Sequence, residues 1–455
     1  MKIVIIGGGK VGSAIAAQLT REGHSITVVD RDPQVVDQIS ETLDCMAICG
    51  GGAGLEVMRS AGVPDSDLLI ACTAEDELNM LCCAFAKKLG CGSAIARVRD
   101  PEYAAQIYYF KDELGLSMTI NPEMNAAREM FRLVEIPSVL KRDSFAKGRV
   151  EIVELVPKAG DLLDGTRLME LQKKLGSRVL VGAVQRGGEV MIPDGTFTLR
   201  AGDKVSICAP ATEVVRLLRK LGEHKKKAKN VLLIGGGKVS EYLCSLLLRS
   251  GVNVRLIEAD RAKAAAFAEK YPKADVVCAD GTSESVLREE NAVGMDAAAV
   301  LTDIDGENLI LSMYLNSIGV PQVLVKVDHT EFGSLMSDRS GSRLISLKAL
   351  CADTIVRYVR AMQNTDGSSV LTLHHLVDGK VDALEFNVTE RCRYVGKKLM
   401  DMRFKPNTLL ACINRLGSII IPGGNDTLEA GDTVVVIAAS NRVILDLNDI
   451  FADEE

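Results

Sequence analysis

The sequence predicts an α/β fold made of two doubly wound parallel-sheet domains, each followed by a small α/β module, through an internal duplication. Three observations carry that prediction. Gly202-Asp203 and Gly431-Asp432 stand 229 positions apart, and the same spacing pairs Pro193 with Pro422, Arg186 with Arg415 and Asn79 with Asn308. Each copy opens on an apolar strand that runs into a glycine turn, Lys2-Ile3-Val4-Ile5-Ile6-Gly7-Gly8-Gly9-Lys10-Val11-Gly12 and Asn230-Val231-Leu232-Leu233-Ile234-Gly235-Gly236-Gly237-Lys238-Val239-Ser240. Short apolar runs then alternate with longer amphipathic stretches, the pattern of parallel strands joined by crossover helices.

In the first copy, strands are expected at 2–6, 26–30, 46–49, 68–71, 93–97 and 118–120. Helices are expected between them at Val11–Glu22, Gln34–Leu43, Gly54–Ala61, Glu75–Lys88 and Pro101–Glu113, with a further one at Pro122–Phe131. Residues near 150–220 follow as a shorter module: a Val/Ile strand, a leucine-spaced helix at Thr166–Leu175, strands at Val179–Gln185 and Glu189–Ile192, and a hairpin around Ala201-Gly202-Asp203. Its Gly and Asp residues suit turns. At 455 residues and about 150 per domain, three domains would be the default, and duplication raises that to four. The expected boundaries are 1–136 and 230–365 for the doubly wound domains, 137–222 and 366–455 for the modules, and 223–229 for a charged linker.

Composition narrows the function classes. The chain is 47% apolar and 25% charged, as expected of a folded globular protein. A net charge of −7, 4% aromatics and no Trp offer neither a basic footprint for phosphate backbones nor platforms for stacked bases, so nucleic acid is not an expected partner. No apolar run is long enough to span a membrane, and the chain opens directly on its first strand, so it is expected to be cytoplasmic. Twelve cysteines without a C-x-x-C pair, Cys45, Cys72, Cys83, Cys244 and Cys278 among them, suit buried thiols better than metal ligands. No metal site is expected.

Gly7, Gly9 and Gly12 meet the G-x-G-x-x-G spacing of a dinucleotide-binding turn. The first glycine permits the tight turn, the second lets backbone N–H groups approach a pyrophosphate, and the third lets helix pack on strand. Asp30 closes the second strand 23 residues after Gly7, where a carboxylate accepts hydrogen bonds from ribose hydroxyls and would repel a 2′-phosphate. That favours NAD(H), ATP or ADP over NADP. In the second copy Gly235, Gly237 and Ser240 hold the turn and Glu258 takes the place of Asp30, so a second site and a vestigial empty one are both open readings. Thr73 with Asn79, and Thr302 with Asn308, sit six apart where a base or ribose would lie. Arg97 and Lys326 close the fifth strands, within reach of phosphates, although a surface ion pair explains them nearly as well. The modules show no acid–base constellation for catalysis.

Taken together, Ile5-Ile6-Gly7-Gly8-Gly9-Lys10-Val11-Gly12, Asp30, Ala96-Arg97-Val98-Arg99 and the two Ala-Gly-Asp hairpins at 201–203 and 430–432 resemble the TrkA-type regulatory subunits of Trk potassium-uptake systems, in the tandem form of the RCK (KTN) family. The resemblance covers the whole chain and implies Rossmann domains alternating with TrkA-C-like modules. It further implies a homo-oligomer, a tetrameric ring at the inner face of the cell membrane, bound to a membrane-embedded TrkH/TrkG-like potassium transporter subunit and responding to NAD(H) or ATP/ADP. The first site implied comprises Gly7, Gly9, Gly12, Asp30, Thr73, Arg97 and Arg99, and the second Gly235, Gly237, Glu258, Asp280, Thr302 and Lys326. Gly8, Lys10 and Val11 complete the first turn, Gly236, Lys238 and Val239 the second, and Arg31 and Asn79 join the cofactor-binding candidates. Family members often carry an Asp-rich turn after the third strand; Ala279-Asp280-Gly281-Thr282 has it, but Gly50-Gly51-Gly52-Ala53 does not. The expected function is a nucleotide-sensing gating subunit without catalytic residues; the alternative is an NAD-dependent oxidoreductase with an unrecognised substrate domain.

Overall fold

The computed structural model describes residues 1–135, 141–176, 178–221, 228–328, 342–363, 370–377, 379–440, 444 and 446–452. Of the charged linker expected at 223–229, only Ala228 and Lys229 fall among the described residues. The chain forms two compact units, and each is assembled from both copies of the repeat: Met1–Val134 with Ala228–Val356, and Glu135–Lys227 with Arg357–Glu455.

The first unit holds two lobes. Lobe 1 comprises β1 (Lys2–Ile6), α1 (Lys10–Arg21), β2 (Ser25–Asp30), α2 (Pro33–Thr42), β3 (Met46–Cys49), α3 (Leu55–Ser60), β4 (Leu68–Ala71), α4 (Asp76–Leu89), β5 (Ser93–Arg97), α5 (Pro101–Phe110), β6 (Met118–Ile120) and α6 (Pro122–Glu135). Its parallel sheet runs β3-β2-β1-β4-β5-β6. Helices cover both faces, which is why β4 is buried at every residue and reads as an unbroken apolar run. Pro33 and Pro101 open their helices behind Asp32 and Asp100, whose side chains accept the Gln34 and Glu102 amides. Between β1 and β4 the strand order reverses, and the crevice at the carboxyl ends of these strands is where such sheets take ligands.

The second unit begins in sequence with β7 (Lys141–Phe145), β8 (Val150–Leu155), α7 (Leu168–Leu175), β9 (Leu180–Arg186), β10 (Glu189–Met191), β11 (Lys204–Pro210) and α8 (Ala211–Lys220). Lobe 2 then repeats lobe 1 as β12 (Asn230–Ile234), α9 (Lys238–Arg249), β13 (Asn253–Glu258), α10 (Arg261–Lys270), β14 (Asp275–Cys278), α11 (Glu284–Glu289), β15 (Ala297–Val300), α12 (Asp305–Ser317), β16 (Val323–Lys326), β17 (Arg343–Ile345) and α13 (Leu347–Gln363). Its sheet order is β14-β13-β12-β15-β16-β17. The second module adds β18 (Val370–Leu376), β19 (Val381–Asn387), β20 (Thr408–Arg415), β21 (Ser418–Ile420) and β22 (Thr433–Ala439).

The lobes share a core. Helix α6 runs to Glu135, past the expected end at 131, because Ala126, Ala127, Met130, Leu133 and Val134 are buried with Val231, Leu233, Leu243 and Leu247 of lobe 2. Gln322 of lobe 2 donates to the Leu133 carbonyl at 2.9 Å. Nine of the twelve cysteines are buried thiols as expected; Cys45 is instead half-buried, and Cys49 and Cys278, at the ends of β3 and β14, are exposed.

The modules form antiparallel sheets in the orders β10-β9-β11-β8-β7 and β18-β19-β22-β20-β21, and they share a core too. Ile152, Ala183 and Cys208 pack with Ala383, Cys412 and Ile437, and a side chain at Gly182 would sit 2.1 Å from the Ile437 Cδ1. Two buried carboxylates are exchanged across this contact: Glu154 accepts the Val377 amide at 2.7 Å and Glu385 accepts the Ala146 amide at 2.9 Å. Both amides belong to left-handed turn residues, Ala146 at φ 49° and Val377 at φ 48°. The repeated Arg and Asp of each hairpin also meet, since Arg186 grips Asp203 through two bonds of 2.7 Å and Arg415 grips Asp432 at 2.9 and 2.8 Å. Burial works against the Asp203 charge, but the Arg186 guanidinium and the Arg200 amide still hold its carboxyl below the usual carboxylate range.

Candidate functional site

Each crevice is built by its glycine turn. Gly7 and Gly235 adopt φ of 99° and 98°, and a Cβ on Gly7 would lie 2.9 Å from the Thr73 nitrogen, so only glycine fits. A Cβ on Gly12 would come to 1.9 Å from the Gly7 carbonyl. Lobe 2 carries Ser240 there and solves the crowding differently, with the hydroxyl donating to the Gly235 carbonyl. Gly9 and Gly237 are the N-caps of α1 and α9, have no side-chain cap, and face open space at the Cβ position. The uncapped amides of two 12-residue helices therefore face these openings, and unpaired helix N-termini attract anions. Val11 and Val239 are buried, so they offer backbone only.

The acid at the end of the second strand braces the turn. Asp30 accepts the Gly8 amide at 2.6 Å and the Asp32 amide at 2.9 Å; Glu258 accepts the Gly236 amide at 2.5 Å and the Asp260 amide at 2.8 Å. Each oxygen retains a second lone pair for a ribose hydroxyl. In lobe 2 the cleft measures about 210 Å³ and is lined by Gly235, Gly236, Gly237, Glu258, Asp280 and Thr302. It is also lined by Lys263, Asp303 and Glu307. None of these three is among the candidates named from the sequence; aligning the copies at their turns, which sets Lys263 opposite Val35, would have found Lys263. Hydrogen bonds from the Thr282 amide and hydroxyl hold the Asp280 carboxyl below its ordinary range.

Several candidates have other tasks. Asn79 is fully buried and spends all its hydrogen-bonding capacity on the protein: its oxygen accepts from the Thr73 amide and hydroxyl, both at 2.8 Å, and its nitrogen donates to the Thr73 and Arg97 carbonyls. It is a fastener between β4 and β5, not a ligand contact, and Asn308 repeats the arrangement in lobe 2. Arg97 is engaged in a nearly buried pair with Glu123 of α6 at 2.8 Å. Its counterpart Lys326 bonds Asp303 at 3.1 Å on the cleft rim. Arg99 is held by Asp76 and the Ala74 carbonyl. Arg31 stays exposed and 3.9 Å from Glu75.

The glycine-turn helices also meet the opposite lobe. Lys10 bonds Asp328 at 2.9 Å and Lys238 approaches Asp100 at 3.9 Å. The hydrogen bond to Asp328, with the charges of Asp305 and Asp303 behind it, raises the Lys10 ammonium above its ordinary range. Tyr242 of α9 donates to the Arg99 carbonyl at 2.6 Å and accepts from Asn121 at 2.9 Å. Sequence reading missed these contacts because they need the two lobes side by side. Burial pushes the Cys72 thiol, beneath the first turn, up to about 12, so it is an inert packing group. Among the described residues no helix is long and apolar enough to cross a membrane, and no cluster of His, Cys, Asp or Glu could hold a metal ion.

Fold and crevices together define a tandem protein with two nucleotide-type Rossmann clefts. The TrkA-N domain family matches residues 3–122 and 231–347, and the TrkA-C domain family matches 152–222 and 383–451. The Trk system potassium uptake protein TrkA homolog of Archaeoglobus fulgidus is 30% identical over 97% of this chain and 98% of its own length. The chain belongs to this TrkA family of Trk system potassium uptake proteins. Among solved structures, the GsuK RCK domain is similar in fold at a TM-score of 0.64 and 17% identity, over 97% of this chain and 92% of that one. The GsuK channel bound to NAD is similar at a TM-score of 0.63 and 16% identity, over 97% and 77%.

Proposed function

We propose that this chain is a regulatory subunit, not an enzyme, that senses NAD(H), ATP or ADP and gates a Trk-type potassium transporter from the inner face of the membrane. One observation carries the reading: the helix that opens each glycine turn also touches the opposite lobe, Lys10 at Asp328 and Tyr242 at the Arg99 carbonyl. A nucleotide whose phosphates sit on the turn amides then acts on the lobe–lobe contact, and any difference in its affinity for two arrangements of that contact shifts their populations. A coupling of about 1–3 kcal/mol per site is typical, and several copies in a homo-oligomeric ring would add their biases. Within each site the turn amides would hold phosphates, and Asp30 or Glu258 the adenosine ribose. The kinship with Trk uptake proteins and the NAD-bound fold neighbour support this assignment.

The test is equilibrium binding of NAD and ADP to the intact protein, with Gly9→Asp and Gly237→Asp as site controls. Both positions have negative φ, −64° and −76°, and open space around the Cβ, so the substitutions fold. Asp is also a favoured N-cap that would occupy the turn amides with its own carboxylate. Each variant should lose one class of sites, and potassium uptake in cells carrying the double variant should cease to respond to nucleotide. Binding that persists unchanged in the double variant refutes the sites.

A further inference from the structure

The two clefts have the same backbone but different walls. The shared fasteners Thr73 with Asn79 and Thr302 with Asn308 set Ala74 opposite Asp303 and Leu78 opposite Glu307. Gly52 and Gly281 would each bring a Cβ onto the Cγ2 of the equivalent isoleucine, Ile6 and Ile234, which sets Gly51 opposite Asp280. The glycine turns set Val35 opposite Lys263. Lobe 2 therefore gathers Glu258, Asp280, Asp303 and Glu307 around one cleft with Lys263 as the lining cation. Lobe 1 keeps only the first of these acids, as Asp30. Its Leu78 packs against the lobe core, and its Val35 lies against the glycine turn, 2.9 Å from where a Gly8 Cβ would be.

We infer that the lobe 2 cleft selects nucleotides by net charge, favouring NAD over ATP through Asp280, Asp303 and Glu307, and that the lobe 1 cleft lacks this selection. The inference rests on the nucleotide reading above and assigns which nucleotide each cleft takes. In NAD the nicotinamide cation partly offsets the pyrophosphate; ATP brings a triphosphate with nothing to offset it. Within a cleft of about 210 Å³, repulsion between lining carboxylates and bound phosphates acts over distances that the Debye length of about 8 Å at physiological salt screens only in part. Lys326 neutralises Asp303 only in part, because the Asp303 side chain remains 90% exposed. The gap between a weakly and a strongly charged ligand, summed over Asp303 and Glu307, is on the order of 10-fold in affinity.

The experiment is calorimetric titration of the intact protein with NAD and with ATP, a chelator being present so that no divalent cation masks the triphosphate. Gly9→Asp isolates the lobe 2 cleft and Gly237→Asp isolates lobe 1. Gly9→Asp protein should bind NAD on the order of 10-fold more tightly, relative to ATP, than Gly237→Asp protein does. Adding Asp303→Ala and Glu307→Leu, the lobe 1 residues, to Gly9→Asp should raise ATP affinity by a similar factor, change NAD affinity much less, and lose its advantage at high salt. Equal NAD-to-ATP preference in the two single variants, or no gain for ATP on removing the two acids, overturns the charge selection and leaves the nucleotide reading standing. Absence of nucleotide binding by the unmodified protein refutes that reading as well.

Discussion

The pair of lobes and the pair of modules are both products of one duplication, yet they are joined by different chemistry. The modules meet through apolar sheet faces, and their polar exchange is reciprocal, Glu154 to Val377 and Glu385 to Ala146 at nearly equal lengths. The lobes also share a core, which α6 enters, but the polar contacts of their two glycine-turn helices have lost that symmetry. Lys10 reaches Asp328 at 2.9 Å while Lys238 stands 3.9 Å from Asp100, and Tyr242 corresponds to Ala14, which has no hydroxyl to give. A dry, doubly fastened contact resists salt and has few alternative arrangements, whereas exposed ion pairs and a single phenol can be rearranged at small cost. The lobe pair is thus the place where a ligand can change the protein, and the module pair is the fixed reference.

The largest effects should come from breaking the fixed contact. Glu154 and Glu385 are only 3% and 6% exposed, and replacing either with Ala strands a backbone N–H at a left-handed turn. Loss of a buried, charge-assisted acceptor costs about 1.5–3 kcal/mol, so Glu154→Ala and Glu385→Ala should each lower the urea midpoint clearly, with little dependence on salt. Losses below about 0.5 kcal/mol, the range of ordinary surface substitutions, would mean the modules are held by apolar packing alone.

Tyr242→Phe is the intermediate case. It removes the phenol from between the Arg99 carbonyl and the Asn121 amide, leaves them only their mutual 3.3 Å bond, and should cost about 1–2 kcal/mol. Burial, opposed by the Asn121 hydrogen bond, pushes the Tyr242 phenol up to about 12, against about 10 in an unfolded chain. The native state thus keeps a proton that the unfolded state releases, so the stability tied to this group is complete below about pH 10 and is lost as the pH rises towards 12. Denaturation of the parent and of Tyr242→Phe across that window should show the parent falling and the gap closing; a constant gap would mean the phenol ionises equally in both states.

Much of this was legible in the sequence and some was not. The strand runs, the glycine turns, Asp30 and Glu258 follow from local chemistry, since a parallel strand must be apolar on both faces and a turn at φ near +100° needs glycine. Asn79 misled because a polar residue beside a ligand crevice and a polar residue stapling two strand ends look alike until burial is known. Arg97 was undecided for the same reason; its partner Glu123 lies on a helix whose remaining length belongs to the other lobe. The reciprocal glutamates were invisible because the donors they accept from are backbone amides, which leave no residue signature.

The smallest effect sharpens the comparison most. Lys10 and Asp328 have side chains 60% and 21% exposed, so their bond is worth about 0.2–1 kcal/mol and should shrink in salt. A double-mutant cycle of Lys10→Met and Asp328→Asn, scored on unfolding free energy, should give a coupling in that range at low ionic strength and near zero at about 1 M salt, where the Debye length falls to about 3 Å. If the lobes are the adjustable pair, the same cycle scored on nucleotide affinity should also show a coupling, because a ligand on the first glycine turn and Asp328 act on one ammonium group. A coupling in stability with none in affinity would make the contact a passive brace, and would point to the apolar packing of α6 in the lobe 2 core as a route for the signal.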